Sequence, residues 1–141
     1  MRGLSLVRGA LLALLALVVV MLSGCGYNQI QSKDEATKAG WSEVLNQYKR
    51  RADLIPNLVA TVKGYAAHEA QVLTAVTEAR AKVSQINVNA DDAASLAQYQ
   101  AAQGELSQAL GRLMMVTEAY PNLKADQQFI GLQTQLEGTE N

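Results

Sequence analysis

Apolar and polar positions fall into three regimes along the chain. Met1–Arg8 carries Arg2 and Arg8 with no acidic residue, Leu11–Leu22 is an unbroken apolar run of twelve, and Gly26–Lys33 is polar apart from Tyr27 and Ile30. From about Lys33 the residues Trp41, Val44, Leu45, Tyr48, Ala52, Ile55, Val59 and Val62 recur mostly at steps of three and four, which lines them up on one face of a helix. Asp34 and Glu35 near its start suit the positive end of the helix dipole. Pro56 disturbs the pattern: a proline inside a helix costs about 3 kcal/mol and biases Ile55 away from helical geometry. A kink or restart is expected there, with Asp53 as its cap. The apolar phase continues through Leu73, Val76, Ala79 and Val83, too far for one straight helix in a compact domain. The chain is therefore expected to reverse near Gly64–Ala67, where glycine tolerates a left-handed helix end, or else at Asp53–Pro56.

Ala90-Asp91-Asp92 reads as a loop followed by an N-cap. Beyond it Leu96, Tyr99, Gln103, Leu106, Leu110, Leu113, Thr117 and Tyr120 alternate three and four apart, a helical seam that Gln103 and Thr117 weaken without breaking. Pro121-Asn122 closes that helix, Asp126 is placed to cap the next, and Phe129, Leu132 and Leu136 begin a fourth. The fold expected is all-α, an antiparallel up-and-down bundle of about four helices with the first kinked near Pro56. A chain of 141 residues with two prolines and few aromatics fits one such domain.

The order of basic residues, short apolar run and small residues at 1–24 is that of a signal peptide. A spanning helix needs about 20 apolar residues, more than the run supplies. Leu22-Ser23-Gly24-Cys25 resembles the lipobox of bacterial lipoproteins, which makes Cys25 the residue that receives diacylglycerol. An uncleaved signal anchor with an incidental cysteine is the competing reading. The division expected is 1–24 signal peptide, 25–32 tether and 33–141 helical bundle. Removing 1–24 takes Arg2 and Arg8 with it, leaving ten basic against thirteen acidic residues and a net charge of -3. That balance excludes a typical nucleic-acid binder, and a single cysteine excludes an intramolecular disulfide. Acyl chains stabilise membrane attachment by about 0.8 kcal/mol per buried methylene. The protein is thus expected to face the periplasm on a lipid anchor, Gly26 mildly favouring the outer membrane in a Gram-negative cell.

No reaction centre is legible. His68 is the one histidine, and His68-Glu69-Ala70-Gln71-Val72 lacks the second histidine of a zinc-binding helix. No serine sits in a nucleophile elbow, and Asp91-Asp92 fits a helix cap better than an acid and base pair. No catalytic residue, metal or cofactor is therefore expected. Lys49-Arg50-Arg51 is read as a solvated face in preference to a lipid-headgroup site. Helical bookkeeping places Arg51 roughly 60° from the centre of the apolar stripe, at the rim of the core, where an ion pair with Glu118 or Glu140 of another helix is expected. Trp41, Tyr48, Tyr65 and Tyr120 are read as core, with a ligand groove as the alternative.

The residues resemble the LemA family of bacterial envelope proteins. The resemblance rests on Gly26-Tyr27-Asn28, Trp41, Gln47-Tyr48, the run Arg50-Arg51-Ala52-Asp53-Leu54-Ile55-Pro56-Asn57-Leu58-Val59, and Val62-Lys63-Gly64-Tyr65-Ala66 with His68-Glu69. It resumes at Ala79-Arg80-Ala81, Glu118-Ala119-Tyr120-Pro121-Asn122-Leu123-Lys124-Ala125 and Leu136-Glu137-Gly138-Thr139-Glu140-Asn141. It implies an antiparallel helical bundle on a membrane anchor, in a family without an established enzymatic activity, one relative of which takes part in magnetosome formation. Many members keep an uncleaved membrane helix, and members usually continue beyond Thr-Glu-Asn; a last helix cut short at Asn141 would leave apolar surface for another chain to cover. The function expected is a non-enzymatic scaffold or interaction module for envelope proteins. The alternative is a peptide or small-ligand binding module, which predicts a cavity walled by Tyr48, Tyr65 and Tyr120.

Overall fold

A computed structural model describes the backbone of residues 2–140 and the side chains of 7–20 and 28–140. Five helices make up the described chain: α1 (Arg2–Tyr65), α2 (Ala70–Gln85), α3 (Ala93–Thr117), α4 (Pro121–Lys124) and α5 (Gln127–Gly138). Contacts divide the residues into two units, 1–43 and 44–141. In the first unit α1 begins at Arg2, well before Lys33, and the polar stretch expected as a tether lies within it. Extending a formed helix gains a hydrogen bond for each residue fixed, and no proline precedes Pro56 to stop it. Along this part Val7, Leu11, Leu12, Leu14, Leu15, Leu17 and Val20 are all at least 60% exposed. Among the described residues no helix is long and apolar enough to cross a membrane.

In the second unit α1 passes through Pro56 without a restart, and Asp53 caps nothing. Proline has no N–H to give the carbonyl four residues earlier, so the oxygen of buried Ala52 loses its helical partner. Arg80 of α2 supplies one: its Nε donates to the Ala52 oxygen at 2.7 Å. The helix ends at Tyr65 and the chain reverses over 66–69, with Ala66 wholly buried and the Glu69 oxygen accepting from Val72 and Leu73. The reversal lies where Gly64 suggested, but for another reason. No described residue has a positive φ, so the left-handed cap is absent and the turn is held by the buried Ala66 methyl and its hydrogen bonds.

The remaining helices follow the apolar pattern. Leu73, Val76, Ala79 and Val83 are the buried face of α2. Asp92 caps α3 by accepting from the Ala94 N–H at 3.0 Å, and Tyr99, Gln103, Leu106, Leu110, Leu113 and Thr117 are all buried along it. A single turn, α4, was not expected; Pro121 at its first position lacks the N–H that a helix start leaves unused, and Leu123 is completely buried. Asp126 caps α5 through the Phe129 N–H. All five helices contribute to one core, whose fully buried residues include Ile55, Leu58, Val76, Leu106, Leu113, Leu123 and Phe129.

The Ala52 carbonyl makes the role of Arg80 testable. An Arg80→Met substitution leaves a buried acceptor unsatisfied and is expected to cost about 1–3 kcal/mol in urea unfolding followed by circular dichroism. In a Pro56→Ala background the N–H restored at position 56 serves that carbonyl, so the same substitution is expected to cost clearly less. Equal costs in the two backgrounds would show that Arg80 acts elsewhere.

Candidate functional site

Arg51 sits among the buried residues of α1. The buried face there is Arg51, Ala52, Ile55, Leu58 and Val62, while Val44 is 40% exposed. Leu45 and Val59, on the far side of the expected stripe, are only partly buried, while Leu58, seven residues from Arg51 and so about 20° from it around the helix, is fully buried; the buried face turns toward Arg51, and the side chain expected at the rim lies inside. Its Nη2 donates to the Ser107 hydroxyl of α3 at 2.8 Å and lies 3.5 Å from Glu140 Oε1, just beyond α5. Glu118, the other carboxylate considered, is instead paired with Lys124 at 2.6 Å. Gln103, one turn before Ser107 on α3, is buried with the Tyr99 phenol as its polar neighbour, and Arg51 Nε lacks a partner. A buried donor left unsatisfied costs about 1–3 kcal/mol.

A second polar group joins the opposite end of the same core. The Tyr65 hydroxyl donates to Asp126 Oδ2 at 2.6 Å, while Asp126 Oδ1 takes the Phe129 N–H. The Tyr120 hydroxyl donates to Glu69 Oε1 at 3.1 Å, tying the end of α3 to the first turn. Hydrogen bonding to Asp126 raises the Tyr65 phenol above its usual range, and the same bond together with the Phe129 N–H holds the Asp126 carboxyl below its own. His68 is exposed in the turn, and Lys49 and Arg50 are exposed on α1.

Of the tyrosines read as core, with one shared cavity as the alternative, Tyr48 and Tyr120 are partly buried against the core and Tyr65 is 43% exposed, and their partners lie on different elements. Tyr48 packs edge-on against Tyr99, ring centroids 5.6 Å apart, and both line an open groove of about 390 Å³ with Leu45, Val83, Ile86 and Arg80. Tyr65 and Tyr120 are held in the hydrogen bonds just described. Tyr99 and Arg80 were not picked out as site residues by sequence reasoning. The carbonyl that Pro56 must free at Ala52 was the available signal for Arg80. Among the described residues no three histidine, cysteine or carboxylate side chains gather to hold a metal. Cys25 lies within the backbone of α1, but its side chain and the rest of the lipobox fall outside the described residues.

The sequence model described as the LemA family matches residues 40–141, from late α1 through α5. None of the curated proteins compared with the chain matches it.

The pair at Tyr65 and Asp126 gives a pH signature. Asp126 has a lowered folded pKa, so its contribution is complete above the ordinary 3.8 and is lost as pH falls through the folded value. Tyr65 has a raised folded pKa, so its contribution is complete below the ordinary 10.0 and is lost as pH rises through the folded value. Tyr65→Phe is therefore expected to lower Tm at neutral pH, with the gap to the parent protein narrowing at both acid and alkaline extremes. Thermal unfolding across pH checks this; a gap independent of pH would mean that the hydroxyl pair contributes nothing to it.

Proposed function

The chain belongs to the LemA family, and from that premise we propose that it is a non-enzymatic, lipid-anchored protein of the bacterial envelope whose helical bundle serves as a scaffold or interaction module for other envelope proteins. In this reading the end of α1, α2, α3 and α5 form an antiparallel up-and-down bundle. The order of contacts between α1 and α5 supports it: Tyr65 meets Asp126 and Arg51 meets Glu140, so the two run in opposite directions.

The observation that carries the functional reading is where the shared motif residues are used. Arg51, Tyr65, Glu69, Arg80 and Tyr120 each bond to a residue distant in sequence, so they join helices and do not converge on a point where a substrate atom would react. Residues used in this way specify a shape, and a shape of this kind is used for contact. The second reading, a ligand-binding module, has the groove at Tyr48 and Tyr99 in its favour, although a pocket closing on most of a ligand's surface would be more enclosed.

Attachment through Cys25 would raise the local concentration of weak partners beside the bilayer. Cys25→Ala is expected to move the protein from the membrane to the soluble periplasmic fraction, and globomycin to accumulate the longer precursor of the unaltered chain. Membrane retention of Cys25→Ala with no globomycin effect would replace the lipid anchor with an uncleaved helix. Proximity labelling from the bundle in living cells tests the scaffold role: recurrent envelope proteins are the expected catch, and recovery of none would remove it.

A further inference from the structure

Arg51 is a buried cation whose partners do not match its demand. Its side chain is 5% exposed, and Glu140, its carboxylate neighbour at 3.5 Å, is 58% exposed. A guanidinium pairs best with a carboxylate through two parallel N–H bonds. The Nε and Nη2 groups lie along one edge suited to that pairing, yet Glu140 approaches Nη2 alone and Nε is unpartnered. On α3, one turn before Ser107, Gln103 is a second buried polar side chain, and its polar neighbour is the Tyr99 phenol. The Nε–H is unmet and Nη2 is held by its carboxylate only at 3.5 Å, a donor edge that calls for an acceptor carrying negative charge.

We propose that the Nε and Nη2 edge of Arg51 is a binding site for a carboxylate, and that Glu140 is its internal competitor. The exposed Glu140 side chain gives access: when it swings out, a free carboxylate or the acidic side chain of a partner takes both nitrogens. Ser107 keeps its hydrogen bond to Nη2 and holds the guanidinium plane. The site belongs to the second unit and does not rest on the lipid anchor or on the scaffold role.

The test uses the full chain in zwitterionic lipid nanodiscs, with the Arg51 Nε–H followed by NMR. Acetate is titrated at constant ionic strength against chloride, and in parallel a blocked peptide rich in glutamate. A saturable shift with acetate and not with chloride is expected. Glu140→Gln is expected to tighten acetate binding about tenfold, the factor for a competitor that holds the site nine-tenths of the time. Peptide binding much tighter than acetate binding would identify a protein-borne carboxylate, and equal affinities a small free one. An Arg51 signal unmoved by acetate and peptide, in the parent chain and in Glu140→Gln alike, would overturn the proposal and leave buried water as the partner of these groups.

Discussion

A carbonyl oxygen that its own helix cannot satisfy governs how the second unit closes. Pro56 removes the N–H that Ala52 would have used, and Ala52 is only 8% exposed, so little water reaches the vacancy. The donor has to come from another helix, and Arg80 is that donor. Apolar side chains of similar volume exchange and slide against one another at modest cost. A hydrogen bond of 2.7 Å has a direction and a length, and once it is made α2 has one register against α1. With that register set, Leu73, Val76, Ala79 and Val83 enter the same core as Ile55, Leu58 and Val62.

The other polar joints extend the same logic to the remaining helices. Arg51 reaches Ser107 of α3 and approaches Glu140, while Tyr65 and Tyr120 reach carboxylates at the far end of the core. Leaving a buried donor unsatisfied costs about 1–3 kcal/mol, so a slipped arrangement that parts the Arg51 guanidinium from Ser107 is disfavoured more than apolar packing alone would disfavour it. Selectivity among registers is a different quantity from stability. A core of small aliphatic residues such as Ala52, Ala66, Ala79, Ala102 and Ala109 has need of it, because methyl groups present little shape by which one register differs from the next.

Periodicity made α2, α3 and α5 legible, because their buried residues are the apolar ones at steps of three and four, and Asp92 and Asp126 are caps whose side chains have one obvious use. Local signals failed where a partner distant in sequence decides. Pro56 looked like a break when read alone, and only Arg80 shows why the helix survives it. Arg51 looked like a rim residue because the stripe was centred through Leu45 and Val59, which are only partly buried; the buried face passes through Leu58, beside Arg51 around the helix, and a charge was allowed inside because Ser107 and Glu140 come to meet it. The single turn of α4 was too short for any periodic signal. Tyr48, Tyr65 and Tyr120 shared a chemistry but not a place, since their partners lie on different elements.

The first unit poses a separate physical problem. Burying a leucine or valine side chain is worth about 1.5–3 kcal/mol, and seven such residues between Val7 and Val20 stand at least 60% exposed along α1. Left in water, that face forgoes on the order of 10 kcal/mol by the same measure, comparable with the whole stability of a typical domain. A stretch of this kind is compatible with a functioning protein when lipid or another apolar surface covers it, or when it is removed. Under the proposed function residues 1–24 would be a signal peptide, crossing apolar surroundings during export and then removed, and acylation at Cys25 would then keep the chain at the membrane.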